Sequence, residues 1–179
     1  VSYDLNFRSK LWTAEQARAC QEPLMEMVDV LITTEEDTRV VFGIGAEGQK
    51  DETFTSVSAE PYKEVARKLA DKFRFKAVAI TLRENPSVLR NTWTAIAYAD
   101  GKFYDDRKYD LEIVDRVGGG DAFSAGFIYG YLTAGSYEAA VRYGTAFSAL
   151  KHTNPGDLTW ATAAEAEGLM KGASLRVAR

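Results

Sequence analysis

With 179 residues, 46% of them hydrophobic and 27% charged, the chain has the size and composition of a globular protein with a sizeable core. Its net charge of −4, without any basic block, argues against nucleic acid or an anionic membrane as a partner. The single cysteine, Cys20, excludes an internal disulfide, and the apolar runs are too short to span a bilayer. We therefore expect a cytoplasmic protein whose partners are small molecules or other copies of the chain.

The chain opens on a strand pattern, Val1–Phe7, with no initiator Met and no polar lead-in, so we expect residues before it in the native protein. A helix is predicted from Thr13, its expected cap, to Val28, with a bend or interruption at Pro23. The short apolar run Val28–Ile32 is then typical of a buried parallel strand.

The next elements are predicted from caps and from apolar periodicity. They are, in order, a helix Glu35–Phe42 capped by Thr33 or Thr34 and ended by Gly43, a loop Gly45–Ser58, an amphipathic helix Ala59–Phe73 and a buried strand Ala77–Leu82.

Alternating apolar residues over Val88–Tyr104, around the pair Asp100-Gly101, predict a hairpin of antiparallel strands. The elements predicted after it are a strand Leu111–Asp115 and helices over Asp121–Thr133, Tyr137–Lys151 and Ala161–Lys171. Strands that alternate with helices predict a three-layer α/β/α fold with a mainly parallel sheet.

Three glycines, Gly118 to Gly120, lie between the last predicted strand and a long helix. Glycines permit close approach of a phosphate to the backbone, and the amides and positive dipole end of the helix attract an anion. Asp121 follows directly, in the first helical turn. It is either a capping residue, which is common, or a general base beside a phosphate site.

The segment from Asp115 to Asp121 resembles the Asp-Thr-x-Gly-Ala-Gly-Asp signature of the ribokinase-like (PfkB) carbohydrate kinases, although Arg116 and Gly119 depart from the commonest pattern. The resemblance extends over nearly the whole chain. It implies an ATP-dependent kinase in which Gly118, Gly119 and Gly120 hold the transferred phosphoryl group and Asp121 is the catalytic base.

Asp4, Asn6 and Arg8 alternate along the first predicted strand, so they are expected to share one of its faces. The ordinary interpretation is a solvent-exposed face, but in parallel sheets ligands gather beyond the carboxyl ends of strands. This segment is similar to the Asp-x-Asn-x-Arg segment of 2-keto-3-deoxygluconate kinases. The similarity implies that all three residues bind substrate and that Arg8 recognises an anionic group on it.

The acids Glu35, Glu36 and Asp37 follow Thr34 at the end of a buried strand. They complement the dipole of a starting helix, which explains them without any ligand. The ribokinase-like family carries an Asn-x-x-Glu motif here that helps organise Mg²⁺ and phosphates. The match places Thr34 at the Asn and Asp37 at the Glu, so it implies that Asp37, or its close competitor Glu36, serves the metal.

Two further segments resemble nucleotide-binding parts of the family. Thr81 and Arg83 stand where many members have Thr-Leu-Gly near the nucleotide, and the guanidinium of Arg83 can meet a phosphate. The segment from Ala149 to Asp157 resembles the stretch that lines the adenine side. Within it, His152 is expected to position or pack at the nucleotide rather than to catalyse, and Asp157 stands where sugar-acid kinases have an Asp that reaches the sugar.

The implied function is ATP-dependent phosphoryl transfer to a sugar or sugar acid, with 2-keto-3-deoxygluconate favoured over neutral sugars such as fructose or ribose. A methyltransferase competes for the glycine loop, but its loop normally follows the first strand of the domain. A non-catalytic sugar- or nucleotide-binding module is the other alternative. We expect residues 1–179 to be the carboxyl-terminal part of one kinase domain, with the amino-terminal part missing, and to be inactive alone.

Overall fold

The computed structural model describes residues 1–46, 59–87 and 89–172, with only the backbone of residues 84–87. The helices in these ranges are α1 (Ala14–Gln21), α2 (Glu35–Phe42), α3 (Glu60–Phe73), α4 (Gly119–Ala134), α5 (Tyr137–His152) and α6 (Ala163–Met170), with a 3-10 helix at Glu22–Met27. The strands are β1 (Ser2–Asp4), β2 (Val30–Thr33), β3 (Ala77–Ser87), β4 (Arg90–Ala99), β5 (Lys102–Asp105) and β6 (Tyr109–Glu112).

The described strands form one mixed sheet in which neighbours follow the order β1-β2-β3-β4-β5 and β6 pairs with β4. Strand β2 is parallel to both of its neighbours, β1 and β3, with Tyr3 opposite Leu31 and Leu31 opposite Val78. Strand β6 is antiparallel to β4, with Tyr109 opposite Trp93. Parallel strands need crossover connections, and helices α1 to α3 supply them here.

The chain divides into two compact units. Of the described residues, 1–46, 59–82 and 95–104 belong to the first unit, and 83–87, 89–94 and 105–172 belong to the second. The core of the first unit includes Leu31, Val78 and Leu69. A core cluster of the second unit includes Trp93 and Ala149.

Helices α4 and α5 of the second unit pack with their backbones close together. A Cβ added to Gly126 of α4 would lie 2.7 Å from the carbonyl oxygen of Tyr143 on α5. A Cβ added to Gly144 would lie 2.9 Å from a ring carbon of Phe123. A larger residue at either position would displace its neighbour. Helix α4, whose start carries the three glycines, therefore packs closely against α5.

The predicted helix boundaries in the first unit are confirmed. Thr13 caps α1 in a reciprocal capping box with Gln16, and the α-helix gives way to the 3-10 helix that contains Pro23. The hydroxyl of Thr34 caps α2, and Gly43 ends it with a φ of 69°. The predicted hairpin is also confirmed, and its turn residues Asp100 and Gly101 have φ values of 52° and 72°, as a type I′ turn requires.

The first strand is shorter than predicted. Strand β1 ends at Asp4, although the amide of Leu5 still donates to the carbonyl of Ile32 at 3.1 Å. Asn6 has a φ of 42°, in the left-handed region, and this conformation ends the pleat. The prediction that Asp4, Asn6 and Arg8 share a strand face is therefore wrong, because Asn6 and Arg8 lie in the connection to α1.

Helix α4 begins at Gly119, two residues before the predicted start at Asp121. Most of the predicted loop Gly45–Ser58 lies outside the described residues, as does Val88. Within the described ranges, no helix combines the length and the apolar character that crossing a membrane requires.

Candidate active site

The three consecutive glycines form the turn that starts α4. Gly118 has a φ of 79°, and a Cβ added to it would lie 1.9 Å from the backbone oxygen of Asp157. Both conformation and space therefore require glycine at position 118. At Gly119 space alone requires it, because an added Cβ would lie 2.5 Å from Cε1 of His152.

Gly120 differs from these two neighbours. It is exposed, its φ is not positive, and a Cβ added to it would meet no atom of the described residues within 4 Å. Glycine inside a helix costs about 0.5–1 kcal/mol relative to alanine, and here neither packing nor conformation explains that cost. A ligand that approaches the backbone at this point would explain it.

Asp121 is the third residue of α4, and its side chain is exposed. The prediction that it lies in the first helical turn is confirmed. The first amides of a helix have no intrahelical acceptor, so those of Gly120 and Asp121 are suited to an anion. The carboxylate of Asp121 therefore lies at the same helix end as an anion-binding group of amides.

Asp115 ties the glycine turn to the loop after α5. One of its carboxylate oxygens accepts from the amide of Val117 at 3.0 Å, and the other accepts from the amide of Gly156 at 2.9 Å. These hydrogen bonds, first that of Val117 and then that of Gly156, hold the pKa of Asp115 below its usual range. Asp115 has no predicted role, although an Asp two residues before a turn amide is a typical turn signal.

Lys151 is a second residue at this loop without a predicted role. The side chain of Lys151 is 0% exposed, and its Nζ donates to the carbonyl of Asn154 at 3.1 Å. Its positive charge also contributes to the lowered pKa of Asp115. A buried charge requires hydrogen-bond partners, and Lys151 finds one in the loop after α5. This hydrogen bond helps to fix the loop. The only signal for it in the sequence is a cation in the last turn of a helix.

Asp157 is exposed in the same loop, and its backbone lies against Gly118. The structure therefore brings the predicted substrate residue Asp157 to the glycine turn. Next to the turn, Arg116 donates to Oδ1 of Asn91 at 3.1 Å, which links it to β4.

A second group of predicted site residues lies in the first unit, where α2 begins. Asp37 is half-buried, and burial raises its pKa. The hydroxyl of Thr34 and the charge of Arg8 oppose this shift, whereas the charges of Asp4 and Glu36 add to it. Asp4 at the end of β1, Arg8 in the following loop and Asp37 in α2 therefore interact electrostatically as one group.

The other acids of α2 are placed differently. Glu36 is exposed, while Oε1 of Glu35 accepts from the amide of Ala46 at 3.0 Å and lies 3.9 Å from Nε of Arg39. Glu35 is therefore engaged in local structure. Across the described ranges, no group of three or more His, Cys, Asp or Glu side chains is placed to hold a metal ion.

The predicted nucleotide residues come from both units. Thr81 is half-buried in the first unit, and Arg83 is exposed in the second. The pKa of His152 is lowered, first by burial and then by the charges of Lys151, Arg116 and Arg83. Arg83 is thus within electrostatic reach of His152, whose ring is itself only 3% exposed.

Comparison with known proteins adds a family match and several relatives. A sequence model described as pfkB family carbohydrate kinase matches residues 1–163. The 2-dehydro-3-deoxygalactonokinase of Haloferax volcanii is 32% identical over 179 residues, which is 100% of this chain and 49% of that protein. The chain thus spans about half the length of the curated relatives it matches.

Solved structures agree with this match. The crystal structure of 2-dehydro-3-deoxygluconokinase from Thermotoga maritima has a TM-score of 0.86 and 40% identity, covering 96% of this chain and 50% of that one. A PfkB family carbohydrate kinase from Listeria grayi has a TM-score of 0.80 and 26% identity, covering 95% and 49%. The predicted α/β/α fold is confirmed as the ribokinase-like mixed sheet with helices on both sides.

Proposed function

We propose, because the chain belongs to the pfkB family of carbohydrate kinases, that the complete protein transfers a phosphoryl group from ATP to a hydroxyl of a 2-keto-3-deoxygluconate-type sugar acid. The observation that carries this proposal is the start of α4, where the exposed Gly120 and the carboxylate of Asp121 lie together. Two similar proteins are named as kinases of 2-dehydro-3-deoxy sugar acids, which supports the substrate class.

The residues at this helix start have complementary tasks in such a transfer. The substrate hydroxyl oxygen bonds to the γ-phosphorus of ATP while the bond from that phosphorus to the β–γ bridging oxygen breaks, and ADP leaves. Asp121 accepts the hydroxyl proton. The Gly118 to Gly120 turn presents the amides of Gly120 and Asp121, which stabilise the negative charge that develops on the phosphoryl oxygens.

The proposed cofactor is Mg²⁺, which prefers oxygen ligands and often keeps several waters. Asp37 and Glu36 at the start of α2 are the acids we assign to it, acting together with the phosphates of ATP and with water. The ion supplies neutralisation of phosphate charge. We assign Thr81, Arg83 and His152 to the nucleotide side of the site.

The proposed substrate residues are Arg8, Asn6, Asp4 and Asp157. A guanidinium presents paired donors that match a carboxylate, and the side chain of Arg8 is exposed. An ATP-dependent sugar kinase with a single cysteine suits the reducing cytoplasm, which we propose as its location. Association between copies of the chain stays a prediction.

The test of the catalytic base is Asp121→Asn in the complete protein. Asparagine has nearly the same shape but cannot accept the hydroxyl proton, so we expect turnover to fall by about 10²-fold or more while folding and ATP binding persist. Turnover is measured as ADP release with 2-keto-3-deoxygluconate, and ATP binding is measured by calorimetry.

The matched control is Glu138→Gln, because Glu138 is an exposed acid in the first turn of the neighbouring helix α5. Both changes remove one negative charge from a helix start, but only that at Asp121 removes the proposed base. Near-normal turnover in Asp121→Asn, or equal losses in the two variants, would show that Asp121 only complements its helix dipole.

A further inference from the structure

The imidazole of His152 has a defined tautomer. It lies at the end of α5, is 3% exposed, and its Nδ1 lies 2.7 Å from the carbonyl oxygen of Ser148. A carbonyl oxygen only accepts, so Nδ1 carries the proton. Burial lowers the pKa of His152, which favours the neutral ring, the form in which Nε2 carries no proton.

The same ring supports the glycine turn. A Cβ added to Gly119 would lie 2.5 Å from Cε1 and 2.8 Å from Nε2 of His152, so the backbone of Gly119 rests on the imidazole. Trp93 of β4 also packs on this ring, with 4.8 Å between centroids. His152 therefore lies between a strand of the sheet and the glycine turn.

Ser148 holds the turn at a second point. Its Oγ donates to the carbonyl oxygen of Gly119 at 2.7 Å. In a trans peptide the C=O and the following N–H point in opposite directions, so fixing the oxygen of Gly119 also fixes the direction of the Gly120 amide. That amide points away from Ser148, and it belongs to the exposed glycine at the start of α4.

The backbone of His152 fixes the chain where it enters the turn. Its carbonyl oxygen accepts from the amide of Val114 at 2.9 Å and from the amide of Asp115 at 3.3 Å. The side chain and the carbonyl of one residue therefore hold both ends of the segment from Val114 to Gly119.

We infer, on the premise of the proposed function, that His152 and Ser148 are positioning residues of the phosphoryl-transfer site, which aim the Gly120 amide at the transferred phosphoryl group. Neither side chain touches the substrate. The hydrogen bond from Nδ1 to the backbone carbonyl of Ser148 orients the His152 ring, which packs against Gly119. The hydroxyl of Ser148 sets the plane of the Gly119–Gly120 peptide. This assignment makes the nucleotide role of His152 indirect.

Kinetics of variants of the complete protein separate positioning from plain packing. Loss of an oriented amide weakens stabilisation of the transition state, so we expect His152→Ala and Ser148→Ala to lower kcat by about tenfold or more, while the KM for the sugar acid stays within about twofold. His152→Asn keeps an N–H near the position of Nδ1, and we expect it to recover part of the loss.

The matched control is Leu169→Ala, which opens a cavity in the core cluster of the second unit that also contains Trp93. We expect it to lower the melting temperature and leave kcat unchanged. If His152→Ala and Leu169→Ala lower the melting temperature alike and kcat alike, the positioning role is overturned. If His152→Ala does not fold, Ser148→Ala and His152→Asn decide by the same criterion.

A readout without turnover keeps this inference separate from the proposed function. In protein labelled with ¹⁵N-glycine, we expect the Gly120 amide signal to shift on ATP addition in the wild type and to lose that response in Ser148→Ala. An unchanged response in the variant overturns the inference. A wild type that shows the response but phosphorylates no sugar acid would refute the proposed function alone.

Discussion

Protonation of His152 would place another positive charge in an already positive surrounding. Lys151 on the same helix, Arg116 in the glycine turn and Arg83 in β3 each help to lower its pKa, after burial as the main cause. On β4, the neutral ring of Trp93 packs against it. The folded chain therefore favours the neutral imidazole, which is the form that supports the turn.

Because of this histidine, the stability of the protein should decrease as the pH is lowered. A free histidine has a pKa of about 6.5, and that of folded His152 is lower, so below about pH 6.5 the unfolded state binds the proton first. The contribution of His152 is complete above that pH and is lost as the pH falls toward its folded pKa.

The measurement is the urea midpoint between about pH 5.5 and pH 7.5, in the wild type and in His152→Asn. Asp37 and Asp106 have pKa values raised by burial, an effect of opposite sign, but both variants contain them and they cancel in the difference. We expect the wild-type midpoint to drop more steeply toward low pH. Parallel curves would contradict a buried neutral His152.

The placement of candidate site residues was predictable from sequence where it depends on local structure. Asp121 follows three glycines, a pattern that predicts a place in the first turn of a helix, and the structure has it there. Its role as the base stays a prediction. The bond of Asp115 to Val117 is local, but its bond to Gly156 was not predictable, because Gly156 lies 41 residues further along the chain. Lys151 was missed for a related reason, since a lysine is rarely fully buried and only the fold places its amine under the loop.

The glycines at the start of α4 serve different purposes. Position 118 requires glycine because its backbone is left-handed and lies close to Asp157. Neither reason applies to position 120. Structure and ligand binding are therefore assigned to different positions of the same turn. Substitution by alanine should separate them.

Gly118→Ala should lower the free energy of unfolding by at least about 1–2 kcal/mol, because alanine is strained at positive φ and would also meet the backbone of Asp157. Gly120→Ala should keep that free energy or raise it slightly, yet lower turnover about tenfold or more by blocking the phosphate. Urea unfolding and ADP release measure both quantities in the complete protein. Full turnover in Gly120→Ala would contradict a phosphate at that position.

Elements with strong local signals were predicted well. The structure has the predicted helix caps at Thr13, Thr34 and Gly43, and the predicted turn at Asp100-Gly101. The end of β1 was not predicted, because the alternation of side chains continues past Asp4 although the backbone turns at Asn6. Periodicity reports which side chains are buried, and it does not report the φ angle that ends a strand.

The proposed tasks are divided between the two units. Arg8 and Asp37 belong to the first unit, whereas Asp121, Asp157 and His152 belong to the second. The family match over residues 1–163 includes residues of both units. Substrate choice and proton transfer should therefore respond to different substitutions.

Arg8→Lys in the complete protein tests where substrate choice resides. Lysine keeps the positive charge but loses the planar pair of donors that fits a carboxylate. We expect kcat/KM for 2-keto-3-deoxygluconate to fall about tenfold or more, and kcat/KM for a neutral sugar such as fructose to stay unchanged. Asp121→Asn, by contrast, should lower turnover of every accepted sugar.

The matched control is Arg39→Lys, because Arg39 is an exposed arginine of α2 in the same unit, 3.9 Å from a carboxylate oxygen of Glu35. It should leave kcat/KM for both substrates unchanged, since a surface ion pair contributes at most about 1 kcal/mol and involves no substrate.

The electrostatic interaction of Arg8 with Asp37 offers another role for Arg8, namely support of the proposed metal-binding end of α2. In that case Arg8→Lys would lower kcat/KM equally for the acid and the neutral sugar and raise the Mg²⁺ concentration needed for half-maximal rate. A selective loss with the acid, at unchanged Mg²⁺ dependence, would instead place Arg8 at the substrate carboxylate.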